Sequence, residues 1–215
     1  MSRKQKPKNA PRPVRLGATA GFSGLTTSMG RVLEEWDKKL RGPERNKFLR
    51  EMWDNATMVG AMVNVVRAFL RRVEGHAEAA KGEHPDRERC REYLEGAVED
   101  MEHSFADLLS ELCTSLVFGW CLVEVIYKRR LGMSAGYTAS GAALPASKYS
   151  DRMWGWSRFA ARAQESLDRW EWDDEGGLRG MWQKGTDLKG KQRESYVPIE
   201  KALLLRLDPT KDNPE

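Results

Sequence analysis

His103 and Cys113 are the residues whose types most suggest chemistry, since an imidazole beside a thiol makes a nucleophile with its base, or half of a zinc site. The chain carries three histidines, His76, His84 and His103, and three cysteines, Cys90, Cys113 and Cys121. Only His103 with Cys113 invites such a reading, and ordinary helix positions explain both. The cysteines are odd in number and share no CxxC spacing, which suits reduced, buried thiols rather than a disulfide framework.

Paired acids are the other candidates. Glu99 with Asp100, or Asp173 with Asp174, are residue types that hold metals or perform acid–base work. Neighbours on a strand point to opposite faces, so Asp173 and Asp174 do not converge, and a polar turn entry explains them better. The patterns GxxxxGK, GxGxxG, HExxH and GxSxG are all absent. Phosphate-cradle, dinucleotide, zinc-protease and nucleophile-elbow chemistry therefore have no support, and the expectation is a non-enzyme with no cofactor and no metal.

A third acid stands out by its surroundings. In "TSLVFGWCLVEVIYKRR", residues 114–130, a helical rhythm runs to Phe118, Gly119 stops it, and a strand of aromatic and β-branched residues follows with Glu124 inside it. Alternation places Trp120, Leu122, Glu124 and Ile126 on one face and Cys121, Val123, Val125 and Tyr127 on the other. A carboxylate among three apolar residues needs a partner. Arg158 on a neighbouring strand is the expected one, in a structural ion pair, with Arg72 second.

These residues need elements to position them. At 215 residues, 40% hydrophobic and 32% charged, the chain is apolar enough to fold as one large or two small domains. Its longest charge-free apolar stretches, Ala56 to Val66 and Thr114 to Val123, fall short of the roughly 18 residues that suggest a membrane span. The N-terminus has no apolar segment behind its basic residues, so it does not read as a secretory signal. The net charge is +4, but Arg3, Lys4, Lys6, Lys8, Arg12 and Arg15 hold +6 with no acid among them, leaving −2 for the rest. Residues 1–25 thus read as a disordered basic arm, able to contact an acidic partner or a phosphate backbone. The body is nearly neutral.

From Ser28, the stripe Val32, Leu33, Trp36 and Leu40 predicts a first helix. A second begins at Pro43, and Asp54 or Asn55 caps a third. That third helix places Met58, Met62, Val65, Val66 and Phe69 on a face expected to pack on a core. Residues 73–79 alternate as a short edge strand, a fourth helix starts at Pro85 or Asp86, and Ser104 caps a fifth. Between Arg130 and Lys148 the chain is uncharged and rich in Gly, Ala and Ser. Strand segments then follow, among them a hairpin with Trp170 and Trp172 before its turn and Leu178, Met181 and Trp182 after it. The eight tryptophans suit core and interface packing better than base stacking, because "EWDDE" is acidic. The fold class is α+β, with N-terminal helices followed by a mostly antiparallel β portion. The parts are a helical part at 26–128 ending in a strand, a flexible loop at 129–153, and a β-rich part at 154–215.

The order of these signals resembles a known family. "FADLLSELCTSLVFGWCLVEVIYKRR" resembles the helix, glycine and "G-aromatic-x-x-x-Glu-apolar-apolar-Tyr" segment of tailed-bacteriophage portal proteins, especially the Mu-like branch. "SRFAARAQESLDRWEWDDEGGLRGMWQKG" is similar to that family's tryptophan hairpin, and "YVPIEKALLLRLDPTKDNPE" to its "P-I-x-K-x-L" strand leading to "NPEG". The upstream "DNATMVGAMVNVVRAFLRRVEGHAEA" is similar to its helix followed by a strand, with Val73-Glu74-Gly75-His76 where a tryptophan-containing strand is usual.

The resemblance implies a structural subunit of a homo-oligomeric ring, of twelve copies, at one capsid vertex of the virion, assembled in the host cytoplasm. Double-stranded DNA would pass through the ring during packaging and ejection. Capsid protein, scaffold, packaging motor and tail or head-completion proteins would attach to it, and no membrane is involved. What is present resembles the arm and wing, leading to a stem beyond Glu215. The alternative is a nucleic-acid-binding regulatory or head-completion protein acting through the basic arm.

Overall fold

In this computed structural model, residues 23–82, 84–133, 136–138, 141, 143–186, 190–207 and 213–215 are described. The basic arm, Arg3 to Arg15, lies outside them. The class is α+β, with helices preceding two three-stranded antiparallel sheets ordered β4-β3-β8 and β5-β6-β7.

The chain enters through a hairpin, β1 (Thr27–Ser28) with β2 (Arg31–Val32), where a first helix was expected. Both turn residues have left-handed backbone, Met29 at φ 50° and Gly30 at φ 80°, which suits a two-residue hairpin turn and breaks a helix. Gly30 is also required by contact, since a Cβ there would stand 2.4 Å from the Trp170 carbonyl oxygen. The hairpin lies on that strand, with Trp170 N–H donating to Gly30 O at 2.8 Å. Trp36, assigned to the buried stripe by period, is 96% exposed.

Helix α1 (Gly42–Asn55) and helix α2 (Thr57–Leu70) are separated by Ala56 in extended backbone. Neither Asp54 nor Asn55 caps α2; the Asn55 amide instead donates back to Glu51 O at 2.8 Å. The α2 face expected on a core is open: Met58, Met62, Val65 and Phe69 are all more than half exposed, and Val63 on the other side is buried. Residues 73–79 form no ladder.

Helix α3 (Arg87–Glu99) precedes α4 (Phe105–Leu112), which starts with a reciprocal capping box between Ser104 and Asp107. A single turn, α5 (Ser115–Phe118), completes the segment, and Gly119 at φ 83° turns the chain into β3 (Trp120–Arg129). Strand β3 is central, between β4 (Trp154–Arg162) and β8 (Ala202–Arg206). The tryptophan hairpin is present as β5 (Leu167–Trp172) and β6 (Leu178–Thr186), and its turn is held by Asp173 Oδ1, which accepts from the Glu175 and Gly177 N–H groups at 2.9 and 2.7 Å.

The last stretch of strand character forms two strands. β7 (Gln192–Pro198) pairs with β6, a 3₁₀ turn intervenes at Ile199–Lys201, and β8 joins β3 in the other sheet. That switch ties the sheets covalently. Between them lies the core, where Trp120 and Leu122 of β3 meet Leu167, Trp170, Met181 and Val197, with the Trp120 and Trp170 rings edge-on at 5.1 Å. The opposite face of β3 carries Cys121, Val123 and Val125 and is covered by α4 and α5.

Candidate functional site

Glu124 sits on the core face of β3, with Ala160 of β4 and Ala202 of β8 directly beside it. Two alanines leave room above the carboxylate. Arg162 fills it, its Nη2 donating to Glu124 Oε2, and Lys201 Nζ stands 3.9 Å from Oε1. The Glu124 side chain is 19% exposed, so the acid is mostly buried and paired.

The partner is thus Arg162, and the pairing with Arg158 is corrected. Arg158 lies opposite Ile126 and Arg162 opposite Leu122, so both are diagonal neighbours of Glu124 on the same face. Strand twist makes the two diagonals unequal, so two positions symmetric in register need not be equally near the carboxylate. Arg158 is exposed, and Arg72 sits exposed beyond the end of α2.

Three further ion-pair sites were not legible. Asp100 and Lys128, each with a side chain 2% exposed, are 3.2 Å apart at the foot of α3. Ser147 Oγ and Lys148 N–H each donate to the Asp100 carboxylate at 2.7 Å, and Lys128 Nζ also donates to Ala146 O at 2.8 Å. Burial alone would push the Asp100 carboxyl up, but these hydrogen bonds and the Lys128 charge outweigh it and hold it below the usual range. Nearby, the guanidinium of Arg130 is 3.9 Å from the Tyr149 ring centroid and 3.1 Å from Asp151 Oδ2. The segment expected as a flexible loop at 129–153 is therefore fastened at both ends. A lysine near the end of β3 and a serine in a Gly/Ala/Ser run carry no signal of this in sequence.

Asp168 on β5, side chain 7% exposed, gathers Arg31, Arg169 and Lys184. Its burial also raises the carboxyl, and the three cations reverse that shift and hold it low. This cluster ties the N-terminal hairpin to the second sheet. Glu215, side chain 3% exposed, accepts from Arg45 Nη1 and from Trp170 Nε1, both at 3.1 Å. Burial dominates there and pushes the Glu215 carboxyl up, opposed by Arg45 and Trp170. The "NPE" end of the family-like segment is in this way a clasp on the core, with Pro214 fully buried.

No group of three or more His, Cys, Asp and Glu that could hold a metal occurs among the described residues. Cys113 Sγ donates to Leu109 O within its own helix, and Asp173 caps a turn. No helix among the described residues is long and apolar enough to cross a membrane.

Among the described residues, the first sheet also leaves apolar side chains exposed. On the face of the first sheet that α4 and α5 cover, Leu203 pairs with Val123 and Leu205 with Cys121, yet these leucines and Leu207 are 52, 39 and 50% exposed. The helical layer stops one strand short. β8 is also an edge strand, and an open groove beside it is lined by Leu25, Trp172, Leu178 and Ile199. No protein-family model matches the chain, and no curated protein matches it.

Proposed function

We propose that the protein is a structural subunit of the portal ring of a tailed bacteriophage, forming the passage for DNA at one capsid vertex and the attachment point for motor and tail. The observation that carries this reading is the bare β8 strip. A sheet face whose own helices leave one edge strand uncovered, with Leu203, Leu205 and Leu207 in a row beside an open groove, is a surface completed by another chain. A strip at one edge of the subunit suits a head-to-tail contact, and such contacts form a ring when the rotation between neighbours closes.

Two features support the reading. Three of the segments that resemble the portal family fall on β3, the β5–β6 hairpin and β8 with its clasp at Glu215, which contribute to the core and the exposed edge, while the fourth falls on α2 with no strand after it. The polar clusters at Asp100, Asp168 and Glu215 tie segments distant in the chain together, which suits a rigid structural subunit.

The test is electron microscopy of the purified chain at assembly concentrations. Closed rings of uniform copy number are expected, and Leu203→Glu with Leu205→Glu should abolish them while leaving the circular dichroism spectrum unchanged. Rings that persist in the double variant, or a parent chain that forms none, would overturn the proposal.

A further inference from the structure

Helix α2 presents Met58, Met62, Val65 and Phe69 to solvent at 75, 65, 56 and 66% exposure. Their spacing is four, three and four residues, the a/d rhythm of a helix that packs along another helix. Ala61 and Ala68 flank the seam seven residues apart, and small flanking side chains let two helices approach closely. Arg67 does not interrupt it, because its guanidinium turns back over the Trp53 ring of α1. Fourteen residues of helix therefore carry an outer face with no charge on it.

The ends carry charge of opposite sign. Glu51 and Asp54, exposed, lie near the end of α1 just before α2, and Arg71 and Arg72, exposed, follow α2, Arg71 standing 3.5 Å from Asp107 and Arg72 beside it. Two copies laid antiparallel about a two-fold axis set Met58 against Phe69 and Met62 against Val65, and bring the α1 acids that precede each α2 toward the arginines that follow the other. Parallel pairing would set like charges together. With Val66 and the alanines, the face amounts to on the order of 500 Å², so a pair buries roughly 1,000 Å², the lower bound for a specific interface.

We infer that α2 is a self-association surface that joins two copies of this chain through an antiparallel α2–α2 contact. The contact is isologous, whereas a ring contact is head-to-tail and uses the β8 strip, so the two are independent. An isologous contact cannot lie inside a cyclic ring of more than two copies, so the α2 pair joins a subunit to a copy outside its own ring.

Sedimentation of the full chain at micromolar concentration tests this. In the Leu203→Glu, Leu205→Glu background, which removes the ring contact, the chain should be a dimer, and adding Met62→Glu with Val65→Glu should make it monomeric with the helical circular dichroism signal retained. Charge variants keep the test open if that double variant misfolds. Asp54→Arg and Arg72→Glu should each weaken the dimer at least tenfold alone, and an equimolar mixture of the two should associate more tightly than either. A monomer in the β8 variant background, a dimer there indifferent to Met62→Glu, or a mixture no tighter than its components would overturn the inference. Loss of rings with the β8 variant leaves this dimer intact, so failure of one proposal is distinguishable from failure of the other.

Discussion

The Trp170 indole N–H donates to Glu215 Oε1 at 3.1 Å while Arg45 Nη1 holds the other carboxylate oxygen at the same distance. One acid thus joins the core tryptophan of β5 to helix α1, and a second Arg45 bond, to Phe118 O at 3.3 Å, extends the link to α5. Three elements distant in sequence share it.

Glu215→Ala should destabilise the protein by roughly 3 kcal/mol, because it strands a buried N–H and leaves Arg45 unpaired at a site 17% exposed. Glu215→Gln, which keeps an acceptor for the indole, should cost less. Chemical denaturation of the two variants checks the order, and equal costs would mean that the charge and not the tryptophan bond matters.

Glu124→Ala should cost about 1–3 kcal/mol, the range for a charge-assisted bond that retains some solvent. Arg162→Ala should do likewise, and the double variant should cost less than the sum. Arg158→Ala should be nearly silent, as an exposed residue off the pair. Strong coupling of Glu124 to Arg158 in a double-mutant cycle would contradict the arrangement described.

Acid should weaken the fold through Asp100 and Asp168. Both carboxyls are held below their ordinary range, so the stability they contribute is fully present above the unfolded value near 4 and is lost as the pH falls through their lower folded values. Glu215 acts in the opposite sense. Its folded value is raised, so its favourable share is present below the unfolded value, about 4.3, and disappears as the pH rises through the folded one. Thermal melts from pH 2 to 7 should show a steep acid limb for the parent, reduced in Asp100→Asn and Asp168→Asn, both less stable at neutral pH. Glu215→Gln should remove the opposing slope.

Trypsin should spare Arg130, whose N–H donates to Met153 O at 2.9 Å, whose carbonyl accepts from Arg152 at 3.0 Å, and whose residue is 3% exposed. Lys81, exposed between α2 and α3, should be cut earlier. Mass spectrometry of the first fragments decides the order, and early cleavage after Arg130 would mean that the clusters around Asp100 and Arg130 do not hold this segment.

Local chemistry was legible in the sequence wherever neighbours along the chain decide the outcome. Ser104 and Asp107 make their capping box within one turn, Gly119 ends a helix because it alone takes left-handed backbone at no cost, and "WDDEGG" closes a hairpin through Asp173. The antiparallel β portion and the partial burial of Glu124 follow from alternation on β3. What lies across from each face was decided only in three dimensions. Period alone could not show that the stripe of α2 faces outward, that Met29 and Gly30 turn a hairpin where a helix was expected, or that twist selects Arg162 over Arg158. The clusters at Asp100, Asp168 and Glu215 gather residues far apart in the chain, and their bonds exist only once packing excludes the water that would otherwise satisfy each group alone.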